Sequence, residues 1–262
     1  MYFIDFHTHI YPDAIASKAA DNVRQFYDGL GNPAIDGSVQ TLLECGTKAG
    51  VEKFVILPVA VHPSRTRSIN NFILEQVKNQ PRFFGYGTIH AGMENVTGEV
   101  QYIMEKGLRG LKMHPDYQLF PIDDPRLFPV YDMIQDRLPV IFHMGDPRYD
   151  YSHPRRLRKV LELFPKLQVI AAHFGGYSMY ELAAEELKGK ECFFDVSSSL
   201  MFMEEGVAER YINHHGAERF VYGSDFPMWD PVQEMERFLR LKLTDAQKEQ
   251  IAHVTAEGIL KI

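Results

Sequence analysis

Eight short apolar, β-branched or aromatic runs recur along the chain, at residues 2–6, 54–59, 83–88, 108–113, 139–142, 169–172, 192–196 and 220–222. Runs of this length without strict polar alternation suit strands that are covered on both faces. Between them, residues 69–78, 100–106, 127–137, 157–164, 180–187 and 207–214 place apolar side chains at helical spacing. Strand and helix therefore alternate, which predicts parallel pairing. Eight such units in 262 residues predict an α/β fold of the (β/α)8 TIM-barrel type, with 1–262 as a single domain. Near the end, Asp230-Pro231-Val232-Gln233 reads as an N-cap followed by a first-turn proline, and Thr244-Asp245-Ala246-Gln247 as a capping box. Two helices, one of them an extra C-terminal helix, are expected to close the domain. Residues 28–38, with Gly29, Gly31, Pro33 and Gly37, read as an irregular insertion after the first helix.

Composition narrows the partners. A hydrophobic share of 45% is ample for a buried core and excludes a disordered chain. The net charge of −7 is spread without acidic or basic blocks, so no basic footprint for nucleic acid is visible and a small-molecule partner is expected. No stretch approaches the roughly 18 uninterrupted apolar residues of a membrane span. Residues 1–7 carry no leader pattern, and Cys45 and Cys192 lack any CxxC partner, so the expectation is a cytoplasmic protein with two reduced core thiols. Self-association into a homo-oligomer is left open.

The chemistry gathers where the apolar runs stop. In a parallel barrel the active site forms at the C-terminal ends of the strands. Here the first run leads into His7-Thr8-His9, the fourth into Lys112 and His114, the fifth into His143, the sixth into His173 and the eighth into Asp225. Strand residues two apart face the same way, so His7 and His9 can aim at one ion. A lone strand-end histidine is more often a hydrogen-bonded structural residue. Independent structural histidines, however, have no reason to collect at the same end of several strands, and the coincidence predicts a metal site. Imidazoles joined by a carboxylate suit zinc, manganese or iron.

These residues carry a family resemblance. His7-Thr8-His9, Phe142-His143-Met144-Gly145-Asp146, Ala172-His173-Phe174-Gly175-Gly176 and Tyr222-Gly223-Ser224-Asp225-Phe226-Pro227 resemble the amidohydrolase superfamily. More narrowly, they are similar to the amidohydrolase-related branch that contains aminocarboxymuconate semialdehyde decarboxylase. The resemblance implies that His7, His9, His143 and Asp225 hold a divalent metal, and that His173 acts as acid/base or binds a second ion. Zn2+ is expected first and Mn2+ as the alternative, and Asp225 can also accept a proton from metal-bound water, which makes it a catalytic candidate beside His173. Lys112 matches a position where some amidohydrolases carry a carboxylated lysine between two ions. The narrower likeness favours one ion, with Lys112 contacting substrate. The chain departs from the family at Thr255-Ala256-Glu257-Gly258, where relatives tend to carry an Asn-Ala-x-Arg-like segment.

Lys112, His114, Arg148 and His153 are the substrate-binding candidates, the last two lying in the polar and aromatic stretch 146–155 beyond His143. His62, Arg65 and Arg67 are further cations that suit a substrate carboxylic acid. His214 and His215, before Gly216, fit a helix C-terminus, where imidazolium complements the dipole. Two reactions fit the motif: hydrolysis of an amide, ester or lactone by a metal-activated water, and non-oxidative decarboxylation of an unsaturated or aromatic acid. Breadth of the superfamily ranks the hydrolase first. A non-catalytic barrel with a structural metal and a nuclease rank below both.

Overall fold

A computed structural model describes residues 1–262. Its strands are β1 (Phe3–Thr8), β2 (Val51–Ile56), β3 (Phe83–Gly85), β4 (Gly87–Thr88), β5 (Leu111–Met113), β6 (Val140–Phe142), β7 (Val169–Ala171), β8 (Phe193–Asp195) and β9 (Phe220–Val221). The helices are α1 (Ala16–Phe26), α2 (Val39–Lys48), α3 (Thr66–Asn79), α4 (Val96–Glu105), α5 (Pro115–Gln118), α6 (Phe128–Ile134), α7 (Pro154–Leu163), α8 (Tyr180–Glu186), α9 (Val207–His215), α10 (Pro231–Leu239), α11 (Asp245–Glu249) and α12 (Thr255–Leu260). Each of the eight apolar runs contains strand, and the third is divided at Tyr86 into β3 and β4. Packing accounts for glycine on either side of that break. A Cβ at Gly85 would stand 2.7 Å from Ile73 and Val77 of α3, and one at Gly87 would stand 2.6 Å from Ile103 of α4. Helices thus rest directly on the strand backbone there, and the fully buried Tyr86 ring lies flat against Gly110.

The chain forms two compact units, Met1–Ile56 with Val196–Ile262, and Leu57–Asp195. In the first, β1 and β2 pair in parallel with Asp5 opposite Phe54 and Thr8 opposite Ile56. The Thr8 hydroxyl donates to the Val55 carbonyl at 2.8 Å, which fixes the end of the pair. Phe6 N donates to Tyr222 O, and Tyr222 N to Ile251 O, both at 2.8 Å. The second of these bonds explains a departure from expectation at the C-terminus. The helical segment after the capping box runs on to Leu260, with a π turn over Gln250–Val254 between α11 and α12. The wider turn turns the Ile251 carbonyl toward Tyr222 N. Both predicted caps form: Thr244 Oγ1 accepts from Gln247 N while the Gln247 side chain accepts from Thr244 N, and Asp230 accepts from Val232 N at 2.9 Å. The irregular stretch 28–38 is held by Arg24 of α1, which donates to the carbonyls of Asn32 and Ile35 at 3.1 and 3.2 Å.

In the second unit, β4 to β8 pair successively in parallel. Their register lines up Met113, Phe142, Ala171 and Phe194 in one row. The residues that follow, among them His114, His143, His173 and Asp195, therefore leave the sheet at one edge. This row is apolar and almost wholly buried, so the polar groups beyond it stand on a rigid floor.

One expectation about a helix end is corrected. His214 and His215 do close α9 ahead of Gly216, but burial pushes the His215 pKa down to about 4. At neutral pH that ring is an uncharged packing group beside Phe220 and not a cation on the helix dipole.

Two glycine substitutions test this packing in opposite directions. Gly110→Ala puts a Cβ 2.3 Å from the Tyr86 ring and is expected to cost about 1–3 kcal/mol. Gly258→Ala, in α12 with no atom within 4 Å of the new Cβ, is expected to gain about 0.5–1 kcal/mol from helix propensity. Urea denaturation of the two variants checks both signs.

Candidate metal centre

The end of β1 and the segment after β9 are laced together by backbone. Asp225 N donates to His7 O, and His9 N to Phe226 O, each at 2.8 Å, and Thr8 bridges Phe226 in parallel register. Three side chains converge as a result. The Nε2 atoms of His7 and His9 lie 3.4 and 3.2 Å from Asp225 Oδ1. Ligand atoms about 2.0–2.2 Å from one ion stand roughly 3.0–3.4 Å apart, so this trio has the spacing of a coordination shell. The donor set, two imidazoles and a carboxylate on largely buried side chains, can hold a divalent ion. Supports surround it. Ser197 Oγ lies 3.2 Å from His7 Nδ1, leaving Nε2 for the ion. Ser198 donates its hydroxyl to Asp225 Oδ2, and Trp229 Nε1 donates to Ser198 Oγ at 2.8 Å. Asp5, within β1, accepts from Ser224 N at 2.9 Å and so ties the strand to the residue before Asp225.

The second unit holds its own histidine cluster. His143 Nδ1 and His173 Nε2 are 3.0 Å apart, close enough to share one proton. His173 and Phe174 both have left-handed backbone, with φ of 58° and 55°. The turn is held by Asp195 Oδ1, which accepts from His173 N at 3.0 Å. Gly145 is required here in the strict sense, because its Cβ would meet Gly176 Cα at 2.5 Å. His114, Asp116 and His143 also lie within 4.8 Å of one another, but they make a poor chelate. The His114 and His143 rings stack with centroids 3.8 Å apart and planes 7° from parallel, so their in-plane lone pairs do not converge. Asp116 is fully buried and accepts from Ser152 through both its backbone N and its hydroxyl. Burial, outweighing those bonds, pushes its pKa up to about 7.

The substrate-binding candidates fall into two groups. Lys112 is fully buried on β5, and His114 is nearly so. Arg148 forms a forked pair with Asp146, with Nη2 to Oδ2 at 2.7 Å, and His153 caps α7 by accepting from Arg155 N at 3.1 Å. Of the cations after β2, Arg67 is forked on the buried Glu99 and stacked 3.6 Å over the Tyr102 ring. His62 is an N-cap whose Nδ1 accepts from Ser64 N.

The amidohydrolase family model matches residues 4–262. The chain belongs to the amidohydrolase family. It is therefore an enzyme of the superfamily that the strand-end motifs resemble. No curated protein matches the sequence. Among solved structures, the amidohydrolase chain is similar to an uncharacterised Tim-barrel protein from Bordetella bronchiseptica, with 22% identity and a TM-score of 0.84 over 100% of this chain and 99% of that one. It is also similar to 5-carboxyvanillate decarboxylase from Sphingomonas paucimobilis, with 17% identity and a TM-score of 0.78 over 100% and 99% of the two chains. A third is a dihydroxybenzoic acid decarboxylase from Polaromonas with bound manganese and the inhibitor 2-nitroresorcinol, at 16% identity and a TM-score of 0.77 over 99% and 97%. These likenesses show the fold to be the (β/α)8 TIM barrel expected from the alternating pattern. No helix of the amidohydrolase is long and apolar enough to cross a membrane.

Sequence reasoning passed over several groups that the geometry brings forward: Asp5, Asp195, Ser197, Ser198, Trp229 and Glu234. Asp5 and Asp195 left a signal, since each is a carboxylate inside an otherwise apolar strand. Glu234 sits in the first turn of α10, almost wholly buried, with Oε1 paired to Arg237 and Oε2 without a hydrogen-bond partner. Burial pushes its pKa up to about 7 against the pull of Arg237, and the charges of Asp225 and Asp5 add to the rise.

A carboxyl group whose pKa is raised on folding favours the native state below its unfolded pKa, near 4.5, and loses that contribution as pH climbs through 7. In chelator-treated protein, stability should therefore fall by up to about 3 kcal/mol from pH 5 to pH 8 on account of Glu234. Glu234→Gln should flatten that slope. Urea titrations at the two pH values decide it, and equal slopes in parent and variant would remove Glu234 as the cause.

Proposed function

We propose that this amidohydrolase is a metal-dependent decarboxylase of a small aromatic carboxylic acid. The observation that carries the reading is the state of Asp225. Hydrolysis by a metal-activated water needs a base beside the ion to take the water's proton. Asp225 Oδ2 already accepts the Ser198 proton, and Oδ1 faces the His7 and His9 rings. Such a carboxylate suits a ligand better than a base. Decarboxylation needs no activated water, only an acid that can protonate carbon. The similar decarboxylases of 5-carboxyvanillate and dihydroxybenzoic acid support this order, so hydrolysis of an amide, ester or lactone stands second.

His7, His9 and Asp225, with His143 as a further ligand, are proposed to hold one ion. Mixed nitrogen and oxygen donors accept manganese or zinc, and the manganese in the Polaromonas enzyme favours manganese. When bound, the ion supplies Lewis-acid polarisation of the substrate oxygens beside the carboxylate. His173 is assigned the proton. It passes that proton to the ring carbon bearing the carboxylate, the bond from that carbon to the carboxylate breaks, and the bonding pair restores the ring as carbon dioxide leaves. Nothing is oxidised or reduced. Asp195 fixes the His173 backbone by accepting from its N–H at 3.0 Å, and the same Oδ1 lies 3.9 Å from the ring's Nδ1. Lys112, buried at 0% exposure, is proposed to face the substrate carboxylate or a ring hydroxyl, with His114 beside it. Arg148 and His153, tied within their loop, are proposed as its wall and not as free charge partners.

Carbon dioxide release from a panel of hydroxylated benzoates, without turnover of amides, esters or lactones, is the expected outcome. Ester or lactone turnover with no carbon dioxide would reverse the ranking. Joint replacement of His7→Ala and His9→Ala should strip most bound metal on dialysis and abolish turnover while the fold persists by circular dichroism. His173→Asn should keep its metal and lose about 100-fold or more in turnover. Metal loss in that variant would make His173 a ligand instead.

A further inference from the structure

We infer that Trp229 and Ser198 are positioning residues that lock Asp225 as a one-oxygen metal ligand. This rests on the reading of Asp225 as a ligand and extends it to two side chains that touch neither ion nor substrate. An indole N–H donates and never accepts, whereas a serine hydroxyl has one proton to give. Trp229 Nε1 lies 2.8 Å from Ser198 Oγ, so Ser198 is the acceptor in that bond. Its single proton then goes to Asp225 Oδ2. The direction of the chain, from Trp229 through Ser198 to Asp225, is set by the donor at its head and not by the choice of a hydroxyl rotor.

Backbone geometry points the same way. Ser198 and Asp225 are both held in the left-handed region, at φ of 51° and 59°, which a non-glycine residue keeps only where its surroundings over-determine it. Two such residues face each other across one hydrogen bond. Trp229 is brought back toward Asp225 by a tight turn in which Met228 N donates to Asp225 O at 2.9 Å. Its ring is braced edge-on by Phe202, with centroids 5.9 Å apart and planes at 70°.

The consequence concerns coordination number. A carboxylate whose two oxygens both reach an ion occupies two positions. With Oδ2 pinned by Ser198, Asp225 would offer an ion Oδ1 alone, beside the two imidazoles. Loss of the indole N–H frees the Ser198 hydroxyl to turn away, and loss of that hydroxyl frees the carboxylate.

The test is manganese affinity, measured by titration calorimetry on the full chain for the parent, Trp229→Phe, Ser198→Ala and the double variant. Trp229→Phe removes the donor together with part of the ring and keeps an aromatic side chain beside Phe202. The expected result is about tenfold weaker binding for Trp229→Phe and about 10–100-fold for Ser198→Ala, the usual scale for groups that orient a ligand. The double variant should bind no more weakly than Ser198→Ala, because the two residues are successive links of one chain. Parental affinity in Ser198→Ala overturns the inference, as does a double variant whose loss is the product of the single losses. If Trp229→Phe does not fold, Ser198→Ala, which keeps the indole, carries the test alone. A parent that binds no manganese or zinc overturns the metal reading and this inference together. A parent that binds while the variants match it overturns this inference alone.

Discussion

The two backbone bonds that join the end of β1 to residues 225 and 226 are the constraint from which the metal centre follows. They run from Asp225 N to His7 O and from His9 N to Phe226 O, and neither depends on a side chain. Once they form, the alternation of a strand puts His7 and His9 on one side of the lacing, and Asp225 follows between their Nε2 atoms. The left-handed φ of Asp225 is the local cost of that arrangement. Ser197, Ser198 and Asp5 then refine a geometry that the main chain has already set.

The histidine cluster of the second unit has a different physical basis. There the register of β5, β6, β7 and β8 delivers polar residues to one edge above an apolar row, and burial does most of the electrostatic work. It lifts the Asp116 pKa to about 7, while the turn after β7 brings His173 Nε2 to 3.0 Å from His143 Nδ1. Burial on this scale makes a charge depend on a named partner, which is why the buried Asp146 occurs together with Arg148.

Much of this was legible in the sequence, because period-two strands and runs that end in histidine carry their own geometry. His7 and His9 are proposed that way and do converge with Asp225, and the strands before His143 and His173 end in register at Phe142 and Ala171. What sequence could not order was anything reached through a turn: Ser198 and Trp229 meet Asp225 only after the chain reverses. Other residues carry a local role that the sequence pattern did not bring out. His62, His114 and His153 each precede a proline, and each proves to be a helix cap whose Nδ1 accepts a backbone N–H. Asp124-Pro125-Arg126 and Asp146-Pro147-Arg148 share one local fold in which the aspartate takes both the arginine N–H and its guanidinium. An arginine two residues after such an aspartate is engaged before any substrate arrives.

The left-handed turn at His173 and Phe174 limits how this position can vary. Backbone at φ near 58° excludes β-branched side chains and disfavours most others, while histidine, asparagine and aspartate tolerate it better. The residues able to occupy the turn are thus nearly the same as those able to form polar contacts there. At His173, asparagine, aspartate or glycine suits the backbone, whereas valine or threonine strains it. The main chain thereby filters mutations at this site before selection on chemistry acts.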